Sequence, residues 1–237
     1  MADIYVYGTI GDDFWDEGSI GAAEFSKALD EAGGEDVVIH INSVGGSTFD
    51  ASAMSERVRA YKGRVTASIE GVAASAASYF ALTADEVVMN KSALIMVHNP
   101  STYCVGQSVD LRKAADMLDK VRDTIVACYA DKTGMGEGEI CALMDDETWM
   151  GAVEAKEMGF VDRLTDEEPV KAMAPKEVLD TFKHAPGLLY AAAGDTGRSI
   201  RRDNGEGSPT AGAAGGVAGA VTRSACVNGS FLKIKER

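Results

Sequence analysis

An α/β fold built on a parallel sheet is predicted by three features of this sequence. Short β-branched runs alternate with helical patterns from the first residue to about residue 98, and connections that short imply parallel strands joined by right-handed crossovers. Glycine-bearing junctions, Gly45-Gly46 and Gly71, stand where a strand hands over to a helix. Finally, 237 residues at 46% hydrophobic and 25% charged have the balance of a soluble globular chain with one core of ordinary size.

Ile4 to Gly8 reads as the first strand, and an acidic loop follows. From Ser19 the pattern turns helical, with Ala22, Phe25, Leu29 and Ala32 at spacings of three and four before Gly33-Gly34. Val37 to Asn42 suits a buried parallel strand. Ser47 or Thr48 can cap the next helix, whose apolar face continues through Met54, Val58 and Tyr61. Val65 to Ile69, Glu86 to Met89 and Leu94 to Val97 are three further strands, with a small-residue helix after Gly71 between the first two. Ser101 to Gln107 reads as a loop or edge strand. The longest helix runs from about Ser108 to Asp131, with Leu111, Ala115, Leu118, Val121, Ile125 and Cys128 on one stripe. Gly136 to Met144 and Ala152 to Met158 are short helices, Phe160 to Asp162 a short strand or turn, and Pro175 to Lys183 a last helix. From Ala191 onward glycine, alanine, serine and asparagine dominate, a composition that buries too little surface to offset chain entropy. The expected organisation is a domain over 1–165, a short helical extension over 166–190 and a flexible Gly/Ala-rich tail over 191–237, with a β-like piece at Ser230 to Ile234.

Composition excludes several function classes. A net charge of −14 repels a phosphate backbone, so nucleic acid is not an expected partner. The four cysteines, Cys104, Cys128, Cys141 and Cys226, form no C-x-x-C pair and no histidine stands at ligand spacing, so neither metal nor other cofactor is expected and a reduced, cytoplasmic protein is the simplest account. No signal peptide is evident at the N-terminus, and the longest uncharged run, Gly71 to Ala84, is too short and too polar to span a bilayer.

Candidate chemistry gathers at the carboxyl ends of the strands, where open α/β sheets bind ligands. Ser75 stands at a strand-to-helix turn, so its hydroxyl can face a cleft while first-turn N–H groups face an approaching oxygen. Gly45-Gly46 lets bare backbone approach the same cleft. A nucleophile needs a base, and His98, directly after a strand, is the histidine in place. His40 lies inside an apolar strand and reads as structural, and His184 lies in the segment after the core, away from the rim. An acid to orient the base would come from Asp145, Asp146 or Glu147.

The segments Ile41-Asn42-Ser43-Val44-Gly45-Gly46-Ser47, Gly71-Val72-Ala73-Ala74-Ser75, Met96-Val97-His98-Asn99-Pro100 and Ala152 to Asp162 resemble, in order and spacing, the proteolytic subunit of the Clp protease. The resemblance covers residues 3 to 163. It implies a ClpP/crotonase-like fold, a superhelix of repeated β-β-α units with a protruding handle helix near 108–131. It also implies a serine endopeptidase with Ser75 as nucleophile, His98 as general base, and the Gly46 and Ala76 amides as the oxyanion hole, Gly45 shaping the turn. The family's catalytic aspartate falls on Glu147, or the role passes to Asp146. Polypeptides are the implied substrates and a homo-oligomer, a heptameric ring or stacked rings, the implied assembly.

Housekeeping members carry about twenty residues before the first strand for docking an AAA+ unfoldase. Here the chain starts almost at that strand, which argues against an unfoldase partner. In this it resembles the Clp-related head maturation proteases of tailed phages and prophages, which imply capsid or scaffold proteins as substrates. The competing expectations are a housekeeping-type subunit working with an unfoldase, a crotonase-like acyl-CoA enzyme, and a catalytically silent assembly protein.

Overall fold

A computed structural model describes residues 1–11, 19–166 and 176–192, together with the strands 225–227 and 230–232. The chain divides into two compact units, Met1–Ser101 with Met117–Gly194, and Thr102–Asp116 with Asp195–Arg237.

The first unit is organised by a seven-stranded sheet. Strand β1 (Ala2–Ile10) leads through α1 (Ala22–Glu31) to β2 (Val37–Gly46), which leads through α2 (Thr48–Arg59) to β3 (Val65–Ala74). All three strands are parallel, with β2 between the other two. Their apolar residues Ile4, Val6, Ile39, Ile41, Ala67 and Ile69 are buried against Phe25, Leu29, Met54 and Val58 of the helices. This is the helical periodicity meeting the strand periodicity in one core. Ser47 is the cap of α2, its side chain accepting from the Asp50 N–H at 3.2 Å.

After α3 (Ala76–Ala81) come β4 (Glu86–Asn90) and β5 (Leu94–Val97). Strand β3 serves both: Thr66–Ile69 pairs with β4 and Val72–Ala74 with β5. The division lets β5 run on towards the turn that follows β3. Helix α4 (Ser108–Thr133) and α5 (Glu137–Asp145) precede β6 (Thr148–Gly151), which pairs antiparallel with β5. Helix α6 (Ala152–Glu157) and β7 (Arg163–Thr165) follow, β7 lying parallel to β4.

Two elements differ from expectation. The Thr148–Gly151 stretch, which falls between the two short helices expected at Gly136 to Met144 and Ala152 to Met158, is strand β6. Phe160 to Asp162, expected as a short strand or turn, forms no strand, and β7 starts after it at Arg163. The helix expected over Pro175 to Lys183 is only α7 (Lys176–Leu179), with α8 (Gly187–Ala192) beyond it. Beyond Leu179 the N–H groups of Thr181 and Phe182 bond three residues back, to the Val178 and Leu179 carbonyls, so the helix ends in a tight turn there. Among the described residues no helix is long and apolar enough to cross a membrane.

In the second unit, Gln107 opens α4 by accepting from the Asp110 N–H at 2.9 Å while its own N–H meets the Asp110 carboxylate at 3.0 Å. Strands β8 (Ala225–Val227) and β9 (Ser230–Leu232) form an antiparallel pair; β9 falls within the β-like piece expected at Ser230 to Ile234, and β8 is an unexpected strand. Of the tail expected over 191–237, the first two residues end α8 (Gly187–Ala192), and, β8 and β9 apart, the rest lies outside the described residues.

Candidate active site

Ser75 occupies the corner between β3 and α3 with φ 57° and ψ −124°. A non-glycine residue at positive φ is strained and persists only where its surroundings hold it. Here the Ser75 N–H donates to the Met96 carbonyl of β5 at 3.0 Å. Ser78, one turn into α3 and fully buried, lies with its hydroxyl 2.7 Å from the Ser75 carbonyl, 2.8 Å from the Met96 carbonyl and 2.8 Å from the Tyr129 hydroxyl of α4. Ser78 has one hydroxyl hydrogen, which goes to a carbonyl, so the Tyr129 hydroxyl donates to Ser78; burial pushes the Tyr129 pKa up.

This bracing matters because His98 follows β5 directly. The Ser75 hydroxyl donates to His98 Nε2 at 2.7 Å, which requires the neutral tautomer with its hydrogen on Nδ1. Burial holds the His98 pKa below its usual value; the Glu147 carboxylate opposes this and Lys183 adds to it. The ring is therefore unprotonated at neutral pH and able to take a proton.

Gly45 faces the same corner at φ +90°. A Cβ there would lie 2.6 Å from the Ala74 carbonyl oxygen, 2.8 Å from the Ala76 nitrogen and 2.9 Å from Ser75 Cβ. Only glycine permits that approach. At Gly46 a Cβ would collide with the Ile10 carbonyl. Ala76 is the first residue of α3, so its N–H has no acceptor within the helix.

The acidic cluster divides. Asp145 accepts from Arg122 at 2.8 Å and from the Asn99 amide at 2.7 Å. Asp146 meets His184 Nδ1 through its carbonyl oxygen, at 3.0 Å. Glu147 turns inward at φ 50° and is buried. Burial alone would raise its pKa, but N–H donors from Lys183 at 2.9 Å, His184 at 2.6 Å and the Trp149 indole at 3.4 Å, with His98 nearby, bring it below the usual carboxylate value. Among the described residues Glu147 makes no hydrogen bond to the His98 ring.

The structure thus brings Ser75, His98, Gly45, Gly46 and Ala76 to one rim and sets Glu147 beside it. It corrects the placement of His184, whose backbone stands at the site. Phe182, missed in the sequence, packs edge-on to His98 at 5.5 Å and to Trp149 at 5.7 Å. His40 is away from the rim, its ring between Glu70 at 2.6 Å and Asp3 at 3.1 Å, with Tyr7 donating to the same Glu70. Among the described residues no group of histidine, cysteine and carboxylate side chains could hold a metal ion.

Comparison with known proteins agrees with this architecture. A family described as Clp protease matches residues 24–168. The ATP-dependent Clp protease proteolytic subunit 1 of Chlamydia abortus is 34% identical over 133 residues, 54% of this chain and 69% of that protein. The corresponding subunit 1 of Synechococcus sp. is 30% identical over 142 residues, 59% of this chain and 72% of its own length. Among solved structures, a ClpP1 mutant from Listeria monocytogenes superposes with a TM-score of 0.61 at 22% identity, covering 70% of this chain and 92% of that one. The fold is the ClpP/crotonase-like α/β fold.

Proposed function

Since the chain belongs to the Clp protease family, we propose that it is a serine endopeptidase in which Ser75, His98 and Glu147 act as nucleophile, base and acid. The observation that carries this is the 2.7 Å contact between the Ser75 hydroxyl and His98 Nε2 at a corner that strains the serine backbone, as nucleophile turns do. Ser75 Oγ attacks the scissile carbonyl as His98 takes its proton; the Gly46 and Ala76 amides meet the oxyanion; His98 returns the proton to the leaving amine. Water, activated by the same imidazole, then releases the acyl group. Glutamate serves as the third member in other serine hydrolases, and the inward turn of Glu147 favours it over Asp146, whose contact with this region is through its carbonyl.

The test is intact-mass analysis of the full-length protein after exposure to a fluorophosphonate. One adduct on the native chain, absent from Ser75→Ala and strongly slowed in His98→Ala, is expected. Labelling that persists in both variants would overturn the assignment.

We further propose that the enzyme works as a ring-forming homo-oligomer on capsid or scaffold proteins during phage head maturation, without an unfoldase. The support is the Gly/Ala-rich composition of residues 191–237 following a Clp-like core, a pairing that resembles the phage branch of the family. ATP-free cleavage of a co-expressed capsid protein, lost in Ser75→Ala, is the expected result. Degradation that begins only when a Clp ATPase and ATP are supplied would instead establish the housekeeping reading.

A further inference from the structure

The segment Lys176–Ala192 is seated on the site by contacts that the chemistry above does not use. Leu179 and Leu189, both fully buried, share an apolar cluster with Val44, Val72, Ala74 and Met96. Those four residues belong to the ends of the three strands that carry Gly45-Gly46, Ser75 and His98. Between the two leucines the chain passes over the site itself. Phe182 closes on His98 and Trp149, and the next two peptide N–H groups, those of Lys183 and His184, each take one oxygen of Glu147. His184 Nδ1 fastens the same turn to the Asp146 carbonyl.

Hydrogen bonds from peptide N–H groups to a carboxylate are charge-assisted and stronger than neutral pairs. Two of them compete with the single bond that a neutral imidazole Nδ1–H could offer. The observed outcome is that the strap holds the acid while the histidine lacks it. We propose that Lys176–Ala192 is an intramolecular strap that draws the Glu147 carboxylate away from the His98 ring and keeps hydrolysis slow until the strap is displaced. The proposal rests on the serine-peptidase reading above and adds the regulation of that site.

The measurement is the second-order rate constant of fluorophosphonate labelling in the full-length chain. Leu179→Asp removes a buried anchor of the strap. His184→Pro removes one of the two N–H donors at an exposed position, so it tests the same idea without burdening the core. Each is expected to label at least ten times faster than the native chain, and adding Glu147→Gln to either is expected to cancel that gain. Equal or slower labelling in His184→Pro overturns the proposal. So does a gain that survives Glu147→Gln, which would mark simple uncovering of the cleft. Ser75→Ala separates the two readings: a silent Ser75→Ala chain with no gain from His184→Pro defeats the strap alone, whereas labelling of Ser75→Ala defeats the peptidase assignment.

Discussion

The Ser75 N–H and the Met96 carbonyl are 3.0 Å apart, so the strained serine corner is tied to β5 two residues before His98. The hydroxyl and the imidazole therefore meet because a backbone bond between their strands holds the distance, with Ser78 reinforcing it from beneath.

Removing that reinforcement should cost stability. In Ser78→Ala the fully buried Tyr129 hydroxyl loses its acceptor, and a buried polar group left unpaired costs about 1–3 kcal/mol. Tyr129→Phe leaves Ser78 its carbonyl partners and should cost about 0.5–1.5 kcal/mol, the net worth of one hydrogen bond. Urea unfolding of both variants gives the two values, and a Tyr129→Phe loss larger than that of Ser78→Ala would refute the donor assignment.

Gly45→Ala should disable the site while leaving the sheet intact. The added methyl meets the Ala74 carbonyl and the Ala76 amide, both on the Ser75 corner, so the corner must move. Displacements near 1 Å at a reacting group cost about a hundredfold in rate. Labelling slowed by that factor or more, with an unchanged far-ultraviolet circular dichroism spectrum, is the expected result.

The pH profile of labelling should rise with deprotonation of His98. Burial keeps its pKa below the ordinary 6.5, so the midpoint of the rise should fall below 6.5. Stopped-time labelling between pH 4.5 and 8 reads it, and a midpoint above 6.5 would contradict the observed burial.

The two partly buried histidines should pull stability in opposite directions. Below pH 6.5 the unfolded chain protonates position 98 while the folded chain resists, so that contribution weakens as pH falls towards the folded pKa. At His40 burial alone would lower the pKa, but hydrogen bonds to Glu70 and Asp3 outweigh it and the folded value is raised. Its contribution is complete below 6.5 and is lost as pH rises through the folded pKa. In His40→Asn, denaturation midpoints should therefore fall more at pH 5.5 than at pH 8.5.

Much of this was legible in the chain itself because side-chain pattern carries it. The alternation of Val37, Ile39 and Ile41 and the spacing of Phe25 and Leu29 encode strand and helix faces, and Gly45, Ser75 and His98 each stand at the end of a strand. Strand β6 left no such trace: Thr148 to Gly151 is four residues long, ends in glycine, and is extended because β5 pairs with it. The contribution of Lys183 and His184 had no signal at all. They act through peptide N–H groups, which every residue but proline supplies, so no side chain announces them. Phe182 could have been noticed only as a large aromatic in an otherwise polar stretch.

The donors that grip Glu147 do not titrate. A peptide hydrogen keeps its bond across the whole range in which enzymes work, and the carboxylate it faces is itself held ionised below the usual acid range. Modest acidification of the carboxylate therefore gives no purchase on this contact, and neither does a charge-altering change to the Lys183 side chain, whose peptide N–H is what Glu147 takes. What undoes it is physical removal: pulling the chain aside, or cutting it.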